Sequence, residues 1–282
     1  MDLHFITAAF YLGAAVLAWM PQQATPAQVA AQGRAPGFTQ STLRLASVSA
    51  LLCVAIGWHG YALLNDLLTP SGFNLSFATS LSLITLGTIT VYVVIGFSTS
   101  LLHLVARFLA PVAVAVVLMA VIMPAQYVVP YGGNPLFRLH FVVAMMAYVL
   151  FTIAALHALL MMAMESWLHQ GDLPASVGNL PPLIRMERWL FRLLLAAFVL
   201  LTATLVSGVF FSEALFGRAF QFNHKTFFAL VSWVIFAWLL FGHWRFGWRG
   251  KKAIRLTLIG FISLLLAYIG TKFVLQILLG RL

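Results

Sequence analysis

Long apolar runs alternate with short polar segments along the whole chain. Each run is long enough to cross a bilayer as a helix, and proline, glycine or charged residues bound it on either side. In lipid, a single segment can satisfy its backbone hydrogen bonds only by forming a helix. The pattern therefore predicts an all-α fold, a polytopic membrane helix bundle with about eight transmembrane helices. These helices are predicted at 3–20, 43–64, 78–97, 101–123, 137–164, 187–212, 226–243 and 255–279.

The composition agrees with a membrane protein and excludes a soluble enzyme. Hydrophobic residues make up 62% of the chain and charged residues 8%, whereas an ordinary soluble domain has about 25% charged residues. No polar stretch suggests a separate soluble domain, so residues 1–282 are predicted to form a single integral-membrane domain. The first run is not preceded by a basic segment, and we interpret it as a mature helix rather than a signal peptide.

The charged residues are mostly cationic and unevenly distributed. The chain has 16 lysines and arginines against 6 aspartates and glutamates, a net charge of +10. No basic block is interleaved with exposed aromatic residues, which argues against nucleic-acid binding. By the positive-inside rule the cation-rich loops are cytoplasmic and both termini lie on the outer side, which for a bacterial inner membrane is the periplasmic side. The cations of these loops are Arg34, Arg44, Arg185, Arg188, Arg192, Arg245, Arg249, Lys251, Lys252 and Arg255.

Three polar segments are candidates for contacts outside the membrane core. Residues 21–40 are rich in Gln, Ala, Gly and Pro and are interpreted as a mobile cytoplasmic linker. Residues 165–182 are predicted to be a second loop of this kind. The basic segment 244–255 is interpreted as a topology anchor that also touches anionic membrane lipid. Contacts with other membrane proteins would use the linker or this basic segment.

A metal or cofactor in this chain must depend on histidine, because the single cysteine, Cys53, lies inside an apolar run. The predicted topology divides the eight histidines between the two sides of the membrane. His4, His140 and His224 lie at outer helix ends, and His59 lies about one turn inside the outer end of the second helix. The inner side has His103, His157, His169 and His243.

His140 and His224 are the foremost candidate metal ligands, because they begin two helices at the same predicted depth. His224 and His243 cannot share a metal, since they are about 28 Å apart along one helix. Imidazoles can ligate iron, and cations can bind carboxylates. Such a set of residues suits a flat, apolar ligand with carboxylate groups and a metal, and haem has this chemistry. The few outer cations that accompany these histidines are Arg138, Arg218 and Lys225. The aromatic residues available to flank such a ring are Phe220, Phe222, Phe227 and Phe228.

A structural interpretation stays open for each of these histidines. A single histidine at a helix end is commonly an interfacial residue or a hydrogen-bond donor between helices. That interpretation is favoured for His4, His103, His157 and His169. For the pair His140 and His224, and for His59, the structural and functional interpretations are balanced.

Enzyme motifs are absent from the sequence. It contains no HExxH helix, no nucleophile elbow and no phosphate-binding GxxxxGK loop. No pair of carboxylates lies within the membrane to relay protons, which argues against an ion-driven transporter. We predict that the protein is not an enzyme.

The most distinctive motifs lie in the C-terminal third. They are HKT at 224–226, SW at 232–233, GHWRFGWRGKK at 242–252, GF at 260–261 and LAY at 266–268. Two weaker stretches accompany them: FNLS at 73–76 with SL at 80–81, and RLH at 138–140 with AY at 147–148 and AALHA at 154–158. Together these motifs resemble the integral-membrane cytochrome c assembly (haem-handling) family, in its HemX-like, YpjD-type branch. The resemblance covers a core of about residues 40–275.

The resemblance implies a polytopic protein that binds or moves haem destined for cytochromes c. In that family an outer histidine is similar to His140, and a histidine at the cytoplasmic end of the helix after the haem-presenting loop resembles His243. This chain departs from the family at the loop itself, because Phe220–Lys225 takes the place of a tryptophan-rich segment ending in Asp-Pro-Lys-Glu. The second outer histidine that the family has after the eighth helix is also missing.

We therefore predict an inner-membrane haem-handling protein, related to cytochrome c assembly factors, that does not itself attach haem covalently. His243 would mark an entry site on the cytoplasmic face or would cap its helix beside the basic segment. Two alternatives stay open: a scaffold or regulatory membrane subunit that has lost haem, and a small-molecule or ion transporter. The other candidate residues are His140 and His224 as axial ligands, Arg138, Arg218 and Lys225 as propionate partners, and His59 as a second-shell or transit ligand.

Overall fold

The computed structural model describes residues 3–20, 40–70, 72–96, 102, 105–123, 127–171, 181–216 and 223–274. Within these ranges a helix occupies each of the predicted apolar runs, so the all-α prediction is confirmed. The helices are α1 (Leu3–Trp19), α2 (Gln40–Leu67), α3 (Phe77–Gly96), α4 (Ala110–Ile122), α5 (Pro135–Gln170), α6 (Leu183–Phe216), α7 (His224–Phe246) and α8 (Gly250–Leu265).

Two helices are continuous with π-helical turns, in which the hydrogen bonds span five residues instead of four. Val105–Leu109 forms such a turn before α4. Leu266–Gly270 forms another after α8 and leads into a last short helix, α9 (Thr271–Phe273). The second π turn changes which residues of this segment face inward.

The helices identify a multi-pass membrane protein. In the described part of the chain, 7 helical segments are long and apolar enough to cross a bilayer, with the π turns counted as part of α4 and α8. The remaining helix, α1, is apolar but only 17 residues long. The periplasmic position of both termini stays a prediction.

The helices extend beyond the apolar runs at their polar ends. α5 continues to Gln170, so the predicted loop at 165–182 is wrong for residues 165–170. A hydropathy pattern detects the apolar part of a helix and does not detect a polar extension of it. Here α5 ends at Gly171, which has a left-handed φ of 71°. At the start of this extension, the Glu165 carboxylate forms an ion pair with Lys251 of α8, whose Nζ atom lies 3.6 Å away. The predicted linker lies outside the described residues except for Gln40, which begins α2, and so do residues 172–180 of the second loop.

The chain divides into two compact units. The first comprises Met1–Asn65 and Ile89–Pro124, and the second comprises Asp66–Thr88 and Ala125–Leu282. The single integral-membrane domain predicted from the sequence stays a prediction.

In the first unit, two arginines hold the C-terminal end of α1. Arg44 Nε donates to the Leu17 carbonyl oxygen at 2.8 Å, and Arg107 donates to the Ala18 carbonyl oxygen at 2.8 Å. The last carbonyls of a helix lack intrahelical partners and carry a partial negative charge, which cations complement. Arg44, one of the topology cations, therefore also stabilises the packing of α1.

In the second unit, α5 to α8 pack around a common aromatic core. α5 and α7 each pack against both α6 and α8. Phe151 of α5 stacks on Phe236 of α7, with ring centres 4.1 Å apart. Gly260 of α8 lies against the same ring, since a β-carbon at this position would be 2.8 Å from Phe236. The glycine thus permits a close approach of α8 to α7.

A small antiparallel sheet, which the sequence did not predict, belongs to the second unit. It contains β1 (Leu68–Thr69), β2 (Gly72–Asn74) and β3 (Val128–Val129), in the order β1-β2-β3. Phe73 pairs with Leu68 on one side and with Val129 on the other. The sheet leads through a 3-10 turn at Pro130–Gly133 into α5, so it helps to fix the end of the bundle where α5 begins.

Candidate functional site

His140 lies near the start of α5 and faces α6. Its Nδ1 atom lies 2.8 Å from the Ser207 hydroxyl oxygen, and that hydroxyl donates its proton to the Thr204 carbonyl oxygen at 3.2 Å. Because the serine has only one proton, Nδ1–H of His140 must be the donor in the first bond. The lone pair of the neutral imidazole is therefore on Nε2. This is the tautomer that a metal-ligating histidine adopts when a neighbouring acceptor orients its ring.

A glycine lies beside the His140 ring. A β-carbon at Gly208 would be 3.4 Å from the His140 Cε1 atom, so no side chain of α6 intervenes at this point. Ser207 and Gly208 together hold the imidazole by one hydrogen bond and a close backbone contact. The ring is part-buried and held in a defined orientation.

Arg138 lies two residues before His140, and the turn that precedes α5 anchors its side chain. Its Nε atom donates to the Gly132 carbonyl oxygen at 2.7 Å, and its guanidinium lies 5.9 Å from the centre of the Phe73 ring. The Arg138 side chain is exposed, so its other N–H groups are accessible to a ligand from outside the bundle. The 3-10 turn and the sheet thus hold this cation at the end of the bundle where α5 begins.

His224 and Lys225 are the first two residues of α7. Asn223 caps this helix, because its side-chain oxygen accepts from the Thr226 backbone N–H at 3.1 Å. The His224 side chain is exposed and is not needed for capping, whereas Lys225 is half-buried. Arg218, Phe220 and Phe222 lie outside the described residues.

The pairing of His140 with His224 stays a prediction. Among the residues that the structure describes, no group of three or more His, Cys, Asp or Glu side chains is placed to hold a metal ion. A haem iron needs only one or two protein ligands, so this finding bears on bare metal ions rather than on haem.

Lys272 is a candidate residue that the sequence reasoning missed. Only 3% of its surface is exposed, and its Nζ lies 2.9 Å from the centre of the Tyr127 ring. Within the described ranges this ammonium group has no hydrogen-bond partner. The sequence contains a signal, because Lys272 is the only charged residue from 256 to 280, and an ionisable residue in a membrane helix is a functional candidate by default.

His59 belongs to the first unit, whereas the other described candidates belong to the second. Its side chain is 1% exposed, and its Nδ1 lies 3.1 Å from the Tyr11 hydroxyl oxygen. The two rings meet edge to face with centres 5.7 Å apart. His59 is therefore a packed residue between α1 and α2, and a role as a second-shell or transit ligand stays a prediction.

His243 is held at the other end of α7. Its ring stacks on Phe191 with centres 3.4 Å apart, and its Nδ1 donates to the Trp248 carbonyl oxygen at 2.9 Å. Trp248 folds back onto Gly242, where a β-carbon would clash, and Lys252 Nζ lies 3.2 Å from the centre of the Trp248 ring. The bond to the carbonyl stabilises the turn after α7, and it also leaves the imidazole lone pair on Nε2.

Two of the remaining inner histidines make structural hydrogen bonds. His157 Nε2 donates to the Met186 carbonyl oxygen at 2.9 Å and thereby links α5 to α6. His169 Nδ1 donates to the Glu165 carbonyl oxygen at 2.7 Å within α5. His103 lies outside the described residues.

Together the fold and the arrangement of its histidines define a multi-pass helical membrane protein with an oriented imidazole at one end of its larger unit. The family described as "Cytochrome C assembly protein" matches residues 45–279 of this sequence. The chain belongs to this cytochrome c assembly family, which confirms the resemblance found in the motifs.

Three relatives show how far the similarity extends. The inner membrane protein YpjD of Escherichia coli (strain K12) is 31% identical over 250 residues, which cover 86% of this chain and 92% of that protein. A 28.8 kDa protein of Azospirillum brasilense is 36% identical over 151 residues, or 53% of this chain and 56% of that one. The cytochrome c biogenesis protein CcsA of Trieres chinensis is 28% identical over 103 residues, covering 36% of this chain and 33% of CcsA.

Proposed function

We propose that this protein binds haem non-covalently at the end of its second unit where α5 and α7 begin. His140 would ligate the haem iron through its Nε2 lone pair. The observation that carries the proposal is the hydrogen-bonded chain from His140 through Ser207 to Thr204, because it selects the ligating tautomer and orients the ring.

The charges around this end fit the other half of a haem molecule. Haem combines an apolar ring with two carboxylates, and cations near a ligand carboxylate form short, charge-assisted hydrogen bonds. Arg138, Arg218 and Lys225 are the proposed carboxylate partners, and His224 is the proposed second axial ligand. Phe227 and Phe228, which follow Lys225 in α7 and whose ring centres are 5.4 Å apart, provide apolar surface.

The biological role is haem handling during cytochrome c assembly in a bacterial inner membrane. Membership of the cytochrome c assembly family and the similarity to an inner membrane protein support this placement. The segment Phe220–Lys225 lacks the tryptophan-rich sequence of the haem-presenting loop, and we therefore propose that the protein holds haem without attaching it covalently. His243 is the proposed ligand of a second haem site at the predicted cytoplasmic end, because its Nδ1 is engaged by a carbonyl and its Nε2 carries the lone pair.

Absorption spectroscopy of the purified full chain tests the proposal. The spectrum is recorded in detergent with and without added haem for the wild type, for His140→Ala, for His224→Ala and for the double variant. We expect a Soret band that weakens or shifts in His140→Ala and is lost in the double variant. His169→Ala is the matched control, because this exposed histidine bonds only within its own helix turn.

Two results would overturn the proposal in different ways. A Soret band unchanged in the double variant would remove the ligand assignment while leaving haem binding intact. A wild-type protein that binds no haem would instead favour a scaffold or regulatory subunit.

A further inference from the structure

The last turns of the chain that the structure describes hold a buried cation. Lys272 is 3% exposed, and its ammonium group lies 2.9 Å from the centre of the Tyr127 ring and 6.0 Å from that of Tyr268. Aromatic faces attract cations but do not accept hydrogen bonds as carboxylates do. In the described part of the chain the ammonium group has no hydrogen-bond acceptor. A buried charge without such partners is costly, which points to a ligand that supplies them.

The π-helical turn explains why this lysine faces inward. Buried positions along α8 recur every three or four residues, and the face continues with Ala267. The regular spacing of an α-helix would next bury Thr271, but the wider π turn at Leu266–Gly270 places Lys272 on that face instead. The turn is itself fixed, because the Tyr268 hydroxyl lies 3.2 Å from the Ser80 hydroxyl oxygen of α3. The inward position of Lys272 is thus built into the packing.

A second cation, Lys225 of α7, is within electrostatic range of Lys272. Two like charges at such a range repel each other. Neither lysine forms an ion pair with any residue described here. An anionic ligand with more than one acceptor oxygen would relieve both the repulsion and the missing hydrogen bonds.

Lys272 lies at about the same level of the bundle as His140. The Tyr148 hydroxyl donates to the Leu264 carbonyl oxygen at 2.8 Å, which sets α5 and α8 in register. Eight residues separate Tyr148 from His140 in one direction and Leu264 from Lys272 in the other. This is about 12 Å along the axis of α5 and slightly less along the other helix, whose π turn rises less per residue. Lys251 and Glu165 meet at the opposite ends of the same helices, so α5 and α8 are antiparallel and both separations run toward the same end.

We propose that Lys272, together with Lys225, binds the carboxylate groups of the haem whose iron His140 ligates. This inference rests on the proposed function and deepens it, because it assigns a buried carboxylate partner that the motifs did not reveal. Lys272 is a binding residue in this arrangement, and the Tyr127 ring positions its ammonium group.

The test compares haem with haem dimethyl ester, in which both carboxylates are blocked. The purified full chain in detergent is titrated with each compound, and binding is followed by the Soret absorption. We expect the wild type to prefer haem, and Lys272→Met to lose about tenfold or more in haem affinity with little change for the ester. Lys272→Arg should retain part of the preference, because it keeps the charge. Lys251→Met is the matched control, since this exposed lysine lies at the other end of α8.

Each other outcome overturns the inference. Equal binding of haem and ester by the wild type, or equal haem affinity in Lys272→Met, would show that the lysine does not read the carboxylates. Equal losses for both compounds, with a lower thermal midpoint, would show a purely structural lysine. If phosphatidylglycerol raises the thermal midpoint of the wild type only, and haem and ester bind alike, the cation pair binds a lipid headgroup. Absence of any Soret change with either compound would overturn the proposed function itself.

Discussion

The imidazole Nδ1 atom of His140 lies 2.8 Å from the hydroxyl oxygen of Ser207. These residues are on neighbouring helices and 67 positions apart in the chain. The bond joins α5 to α6 and also decides which nitrogen of the histidine keeps its lone pair. The same hydrogen bond can therefore stabilise the helix packing and orient His140 as a metal ligand.

Removal of the Ser207 hydroxyl should weaken haem binding without removing the ligand. We expect Ser207→Ala to lower haem affinity about 10- to 100-fold, the usual cost of losing a residue that orients a metal ligand. A Soret titration measures the effect. Thr204→Val is the matched control, because the Thr204 hydroxyl bonds only to the Leu200 carbonyl oxygen of its own helix. Equal effects of the two substitutions would contradict the orienting role of Ser207.

The Tyr11 hydroxyl should stabilise the first unit through His59. Tyr11→Phe removes one partner of a histidine that is 1% exposed, and we expect a loss of about 1–2 kcal/mol in the free energy of unfolding. Thermal unfolding of the purified protein in detergent measures the difference. Tyr61→Phe removes a hydroxyl from an exposed position of α2 and should have little effect. A Tyr11→Phe protein as stable as Tyr61→Phe would show that this bond contributes nothing.

Gly260 should be intolerant of a side chain. A β-carbon there would lie 2.8 Å from the Phe236 ring, which is fully buried and stacked on Phe151. We expect Gly260→Ala to destabilise the protein by about 1–3 kcal/mol, as overpacked cores do. Denaturant or thermal midpoints measure the loss. Gly57→Ala is the control, because a β-carbon at Gly57 has no neighbour within 4 Å, and full tolerance at both positions would refute the close approach of α8 to Phe236.

Cysteine labelling should reveal the orientation of the chain. In a Cys53→Ala background, Gly133→Cys places a thiol in the turn before α5, and Lys251→Cys places one in the basic segment. The positive-inside rule predicts that a membrane-impermeant maleimide labels Gly133→Cys in intact spheroplasts and labels Lys251→Cys only after permeabilisation. The opposite pattern would contradict the predicted orientation of the bundle.

The helices were predictable because a membrane span depends on local sequence. A long apolar run must become a helix in lipid whatever it packs against, and each predicted run contains one. The polar end of α5 was not predictable in this way. Its residues 165–170 are helical because a left-handed glycine, rather than the end of the apolar run, terminates the helix.

The candidate site was predictable in part. His140, His224 and their cations could be selected because predicted depth follows from position along a helix. The orientation of each side chain could not be predicted, because it depends on contacts with residues far away in the chain. Ser207 orients His140 from another helix, and His59 is buried against Tyr11 of α1.

The sequence by itself determined the class of protein, the number and order of the helices, and the family. The length of an apolar run, the charge of a loop and a short motif are local properties, and they can be recognised without knowledge of any tertiary contact. Only the tertiary structure decided that Lys272 is buried. A π-helical turn and the packing of Tyr127 and Tyr268 turn this lysine inward, where the α-helical spacing alone would bury Thr271.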